Sequence, residues 1–124
     1  TRTGRRCQAP GMAAYLISFP ASAMDVAAED LPAVGEAARA VVQEAQESGV
    51  LLFSGGLDDG FAPVLVDADG TVTADLYPES ADLSGGFCVL ELESQERALA
   101  WAAKLAEACR CPQELRRFGP GSLP

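Results

Sequence analysis

Two stretches of this chain place apolar residues at helical spacing, and each is bracketed by short apolar runs that end at Pro or Gly. That alternation constrains the fold more than any other feature. In the first stretch Leu31, Val34, Ala38, Val41, Val42 and Ala45 recur on one face, with Glu36, Arg39, Gln43, Glu44 and Glu47 opposite. Asp30 with Pro32 just inside predicts where this helix opens, and Gly49 is placed to take the left-handed conformation that closes it. In the second, Ala98, Trp101, Ala102, Leu105 and Cys109 fall at i, i+3, i+4, i+7 and i+11. Ser94 is expected to cap this helix, Trp101 to anchor the core, and the helix to finish near Arg110, before Pro112.

The runs around the helices read as strands. Ala13 to Phe19, closed by Pro20, is the first, Val50 to Ser54 the second, Gly86 to Leu92 a later one, and Glu114 to Phe118 a last one. The second is expected to stop at Gly55-Gly56 and lead into a flexible loop through Leu57-Asp58-Asp59-Gly60. Pro63 to Asp67 and Thr71 to Asp75 flank Ala68-Asp69-Gly70, which predicts a β-hairpin. Leu76 to Gly85 carries Pro78, Glu79 and Asp82 without apolar alternation and reads as a loop.

The order is therefore β-α-β, a hairpin, then β-α-β. It predicts an α+β, ferredoxin-like fold of the dimeric α/β-barrel type, with two helices on one face of a mixed, mainly antiparallel sheet and an extra hairpin. No third helix is available for the other face, so a second copy of the chain is the simplest cover, and a homodimer is expected. Residues 12–118 make the domain. Thr1 to Gly11 lack periodicity and read as a non-core arm, with Met12 a candidate native start, and 119–124 form a C-terminal tail.

Composition narrows the function classes. At 48% hydrophobic and 22% charged residues, the chain is that of a folded protein rather than a disordered tail. Its 18 acidic against 9 basic residues give a net charge of −9, which repels phosphate backbones and anionic membranes. Arg2, Arg5 and Arg6 lie in the first segment and Arg110, Arg116 and Arg117 near the end, so no basic groove forms in the middle. Nucleic acid is not expected as a partner. No apolar run approaches the ~20 residues that span a bilayer, so no membrane segment is expected either.

The chain contains no histidine. That removes Ser-His-Asp and Cys-His nucleophile pairs, histidine-ligated zinc and imidazole general bases together. Cys7, Cys88, Cys109 and Cys111 do not form a disulfide framework and read as reduced thiols of a cytoplasmic protein. Cys109 and Cys111 make a CxC, but a structural zinc site needs a second ligand pair, so neither a metal nor a cofactor is expected.

The remaining chemistry lies in the loops. Asp58, Asp59, Asp75, Glu79 and Asp82 could converge beside the hairpin, where mutual repulsion would suit acid–base work. The alternative is a solvated acidic rim, since no spacing enforces convergence. Asp67-Ala68-Asp69-Gly70 looks like the middle of a calcium loop, but the first and twelfth ligand places would fall on Leu65 and Leu76, so a hairpin turn is favoured. Gly55-Gly56 and Gly85-Gly86 fit no phosphate-binding fingerprint and read as strand boundaries or bulges.

From Met12 to about Phe118 these pieces resemble the YCII-related proteins, and within them the DGPF branch. The resemblance runs through Glu47-Ser48-Gly49-Val50, Phe53-Ser54-Gly55-Gly56-Leu57 and Asp67-Ala68-Asp69-Gly70. It is most specific in Gly85-Gly86-Phe87 and in the helix Glu96-Arg97-Ala98-Leu99-Ala100-Trp101-Ala102. It implies a dimeric ferredoxin-like fold and, for the family at large, a His-Asp pair, with at least one member a dehydrochlorinase acting on an aromatic ring. Without histidine that pair maps to no position here. Ala74-Asp75-Leu76-Tyr77 stands where the branch has Asp-Gly-Pro-Phe. An inherited pocket would then use Tyr77, Glu79, Asp82 and Gly85, with Ser54 and Asp58 from the facing loop.

Three functions follow as expectations. The first is a small-molecule-binding dimer lacking the catalytic pair, with its pocket between the Gly55 to Gly60 and Tyr77 to Gly86 loops. The second is a lyase-like enzyme in which Asp58, Asp59 or Glu79 serves as base. The third, implied by relatives encoded beside alternative sigma factors, is an interaction module for a transcription regulator.

Overall fold

A computed structural model describes residues 11–122; the arm expected over 1–11, with Cys7, and the last two residues of the tail lie outside or at the edge of that range. The elements in chain order are β1 Ala13–Phe19, α1 Leu31–Glu47, β2 Leu51–Gly56, β3 Leu65–Val66, β4 Val72–Thr73, β5 Gly86–Leu92, α2 Gln95–Cys109 and β6 Glu114–Arg117. Four strands form one sheet in the order β2-β5-β1-β6, while β3 and β4 make a separate two-stranded hairpin. Every neighbouring pair in the larger sheet is antiparallel. Each helix therefore bridges two strands that are parallel to each other with a third between them, which is the split β-α-β plan of the ferredoxin-like fold.

Register decides which residues face the helices. Tyr15 pairs with Leu90 and Ile17 with Cys88, and all four are buried. They join Ala45 from α1 and Ala98, Ala102 and Leu105 from α2 in one core, so both apolar stripes pack on the same side of the sheet. Trp101 packs at the margin of that core and stays half-buried, with the Lys104 ammonium 4.9 Å from its ring centroid. The small Ala98 and Ala102 take the central places instead, where an indole would hold the helix off the sheet.

The helix ends follow local chemistry. The Arg97 N–H donates to the Ser94 hydroxyl (3.2 Å), so Ser94 caps α2, and Arg110 closes it in a left-handed conformation at φ 58°. Gly49 closes α1 at φ 77°. Asp30 does not cap α1 with its side chain, because a 3₁₀ turn over Ala28–Asp30 leads straight into the helix. Its carboxylate reaches Arg110 instead, at 3.5 Å. A second link between the helices joins Lys104 to Glu44.

Two boundaries differ from those read in the sequence. β2 runs on through Gly55 and Gly56, because their backbones pair with Phe87 and Gly86, and a register shift lies between Leu51 and Phe53. The hairpin strands are only two residues long, and the loop after them contains a 3₁₀ turn over Pro78–Ser80. Among the described residues no helix is long and apolar enough to cross a membrane.

Candidate functional site

The side of the sheet away from the helices carries Leu16 and Ser18 of β1, Phe87 and Val89 of β5, Phe53 of β2, and Glu114 and Arg116 of β6. The registers Leu16 with Val89 and Arg116, and Ser18 with Phe87 and Glu114, set them side by side. No described helix covers this side, and Phe53 remains 60% exposed on it. The segment from Pro78 to Ser84 folds over one end of this surface and makes a cleft of about 360 Å³. Leu16, Phe19, Leu83 and Phe87 supply its apolar walls, and Glu79, Asp82, Glu114 and Arg116 its charges. Arg116 pairs with Glu114 at 3.1 Å.

Gly85 fixes that segment. Its φ is +90°, and a Cβ built there would lie 1.9 Å from the Phe19 carbonyl oxygen and 2.9 Å from the Ala21 nitrogen. The Ala21 N–H donates to the Ser84 hydroxyl (3.1 Å), and the Leu57 N–H to the Gly85 carbonyl (3.0 Å), so one short stretch ties the end of β1 to the loop after β2.

On the other side of this tie lies a second cleft of about 820 Å³, between the two loops in which the sequence places a pocket. Leu57, Phe61, Pro63 and Leu83 line it together with Asp58, Asp59, Asp82 and the Gly85 backbone. Asp58 also holds its own loop, accepting a hydrogen bond from the Gly60 N–H at 2.9 Å. The fold thus splits the predicted residues. Asp58, Asp59, Asp82 and Gly85 meet in one cleft, Glu79 and Asp82 share its neighbour, and Asp82, Leu83 and Ser84 line both. Ser54 lines a different cavity, under the helices, and Tyr77 is 68% exposed and lines none of these spaces. Asp58, Asp59, Glu79 and Asp82 all sit at exposed positions.

Arg116 and Glu114 carry no sequence signal of a site. Only the pairing of β6 with β1 brings them beside the Pro78 to Ser84 segment, and a short charged strand near a chain end gives no hint of that neighbour.

The Asp67 to Gly70 segment is a turn. The Gly70 N–H donates to the Asp67 carbonyl and the Thr71 N–H to the Asp69 carboxylate, each at 2.9 Å. Hydrogen bonds from the Thr71 backbone and hydroxyl hold the Asp69 carboxyl below the usual range. Cys88, Cys109 and Cys111 are free and buried. Burial pushes the Cys88 thiol up to about 11 and raises Cys109 and Cys111 as well, with the neighbouring thiol adding to the rise at Cys109 and a Gln113 hydrogen bond opposing it at Cys111. These thiols are proton-bound at neutral pH and poor nucleophiles. Among the described residues no cluster of three or more Cys, Asp or Glu forms a metal-binding group.

The model of the YCII-related domain matches residues 14–109, from β1 through the end of α2. The chain belongs to the YCII-related family. The match is to the family as a whole and does not distinguish a branch within it. No curated protein matches the chain.

Proposed function

We propose that this YCII-related chain is a homodimer that binds a small molecule in the cleft between Leu16, Phe19, Glu79, Leu83, Phe87 and Arg116, without the histidine-dependent chemistry implied for the family. The observation that carries the proposal is the cleft's mixed lining in a chain without histidine: an arginine and three carboxylates around apolar and aromatic walls. Its volume falls at the lower end of the ~300–1,000 Å³ of small-molecule sites, and a few polar groups among apolar walls is the usual lining of such sites. The ligand class that fits is a molecule with an apolar body and at least one polar or charged group.

The dimer rests on the same side of the sheet. Phe53, Leu16, Val89 and the 41%-exposed Phe118 leave an apolar surface that a second copy would cover, and that copy would also wall the cleft. The free thiols of Cys88, Cys109 and Cys111 among the described residues suit a reducing compartment such as the cytoplasm.

The test is a titration of labelled protein with a library of small polar and aromatic compounds, followed by amide NMR. Binders are expected to shift Leu83, Ser84, Phe87 and Arg116 saturably, to emerge chemically unchanged, and to weaken at least tenfold in Arg116→Gln. Binders that map elsewhere would overturn the assignment. Turnover lost in Glu79→Gln would make the chain a lyase-like enzyme, and a stoichiometric protein partner captured from native cells, with no binder in the library, would make it an interaction module.

A further inference from the structure

Residues 57–83, between β2 and β5, carry an apolar surface that the core does not use. No residue of this excursion is buried, and its strand pairing is the hairpin of β3 and β4, two residues to a strand. A lone hairpin is marginal in water by itself. Across it Val66 pairs with Val72, and both stay exposed. The excursion holds seven of the eleven large apolar side chains that the described residues leave exposed, among them Leu57, Phe61 and Leu83. Apolar side chains gathered in this way, rather than scattered singly, mark a surface that another molecule covers.

Charge identifies what covers it. Residues 57–83 carry seven of the chain's 18 acidic residues and none of its nine basic ones, so most of the net charge of −9 lies here. The cleft of about 820 Å³ brings the two features together. Leu57, Phe61, Pro63 and Leu83 form its apolar walls, and Asp58, Asp59 and Asp82 stand among them, with no basic residue in the described lining. A second copy of the chain docking through the same surface would set these carboxylates against their equals, which opposes the contact. Nor does a second copy offer a free basic patch from elsewhere, since Arg97, Lys104, Arg110 and Arg116 are each paired with a carboxylate of their own chain. The cleft is also distinct from the sheet face proposed for the dimer, because Leu16, Phe53, Val89 and Phe118 are not among its lining.

We infer that this cleft is a docking surface for a partner polypeptide, which it takes through a basic segment bearing large apolar side chains. The apolar side chains seat against Leu57, Phe61 and Leu83, and the lysines or arginines between them face Asp58, Asp59 and Asp82. Burial of the anchors holds the segment, while charge steers it in and rejects acidic competitors. The surface adds a protein partner to the small-molecule cleft beside it, with which it shares Asp82, Leu83 and Ser84.

Three short peptides test the inference: one alternating arginine with leucine and phenylalanine, one with serine in place of the apolar residues, and one with glutamate in place of arginine. Each is titrated into the whole protein and followed by amide NMR. The first is expected to shift Leu57, Asp59, Phe61 and Leu83 saturably and to bind at least about tenfold more tightly than either of the others. Phe61→Ser, at a position 68% exposed, leaves charge and core intact and is expected to weaken the first peptide about tenfold, and Asp59→Asn severalfold. Leu99→Ser, exposed on α2, is the control, with unchanged affinity. Equal binding of the first two peptides, or undiminished affinity in Phe61→Ser, would reduce the effect to net charge and overturn the docking surface. Shifts confined to Leu16 and Arg116 would overturn it in favour of the neighbouring cleft. Phenethylammonium matching the peptide's affinity at Leu57 and Phe61 would overturn it in favour of a small organic cation, and self-association of the chain abolished by Phe61→Ser in favour of a second copy.

Discussion

Gly85 and Gly70 share a positive φ but not a setting, and replacing each with alanine separates backbone strain from crowding. Their φ angles are +90° and +89°. Nothing lies within 4 Å of a Cβ at Gly70, whereas one at Gly85 meets three backbone atoms at the β1 end, the Phe19 carbonyl oxygen at 1.9 Å and the Phe19 carbonyl carbon and Ala21 nitrogen at 2.9 Å. Placing a side chain at positive φ costs about 1–2 kcal/mol, and that is the whole penalty expected for Gly70→Ala. At Gly85 no rotamer relieves the overlap, because the obstacles are the Phe19 carbonyl and the Ala21 nitrogen. The loop must move, which breaks the hydrogen bonds that the Ala21 N–H donates to the Ser84 hydroxyl and the Leu57 N–H to the Gly85 carbonyl. Each is worth about 1 kcal/mol net, so Gly85→Ala is expected to cost about 3–4 kcal/mol. Urea denaturation followed by circular dichroism gives both values. The difference should be about 2 kcal/mol, and two variants equal within about 0.5 kcal/mol would refute the tie between the loops and β1.

Further outcomes follow from the same structure. Ser94→Ala is expected to cost about 1 kcal/mol through the lost cap on α2, and Asp30→Ala about 0.5 kcal/mol or less, since only an exposed ion pair is lost; urea midpoints compare the two. Leu90, fully buried, should cost about 2–5 kcal/mol when cut to alanine, measured by thermal or urea unfolding. Because burial raises the Cys88 thiol from 9.0 to about 11, the folded chain holds a proton there that the unfolded chain releases. The associated stability is complete below pH 9 and is lost as pH rises toward 11, by up to about 2–3 kcal/mol. Urea midpoints across that window should fall more steeply in the parent chain than in Cys88→Ala.

The helices were the most legible part of the sequence, because a period of 3.6 marks both position and buried face. Ala45, Ala98 and Leu105 lie where the stripes put them. The β-α-β order carried enough chirality and connectivity to imply the four-stranded sheet. Strand ends were less legible. Gly55-Gly56 has the composition of a break, yet pairing with β5 extends β2 through it, and pairing is a long-range fact that local propensity does not encode. Trp101 illustrates a similar limit, since periodicity gives the face but not the depth. For the site, the sequence identified the two loops but not their division by the Gly85 tie into separate clefts. Arg116 was invisible, because its place depends on which strand β6 joins.

The most direct test of the small-molecule assignment is a crystal structure of the chain grown with binders from the library. Density for a polar ligand bounded by Leu16, Glu79, Leu83 and Arg116, on a sheet face closed by a second copy of the chain, is the predicted result. A ligand seated away from these residues, or a lone protomer with that cleft filled by its own side chains, would contradict it.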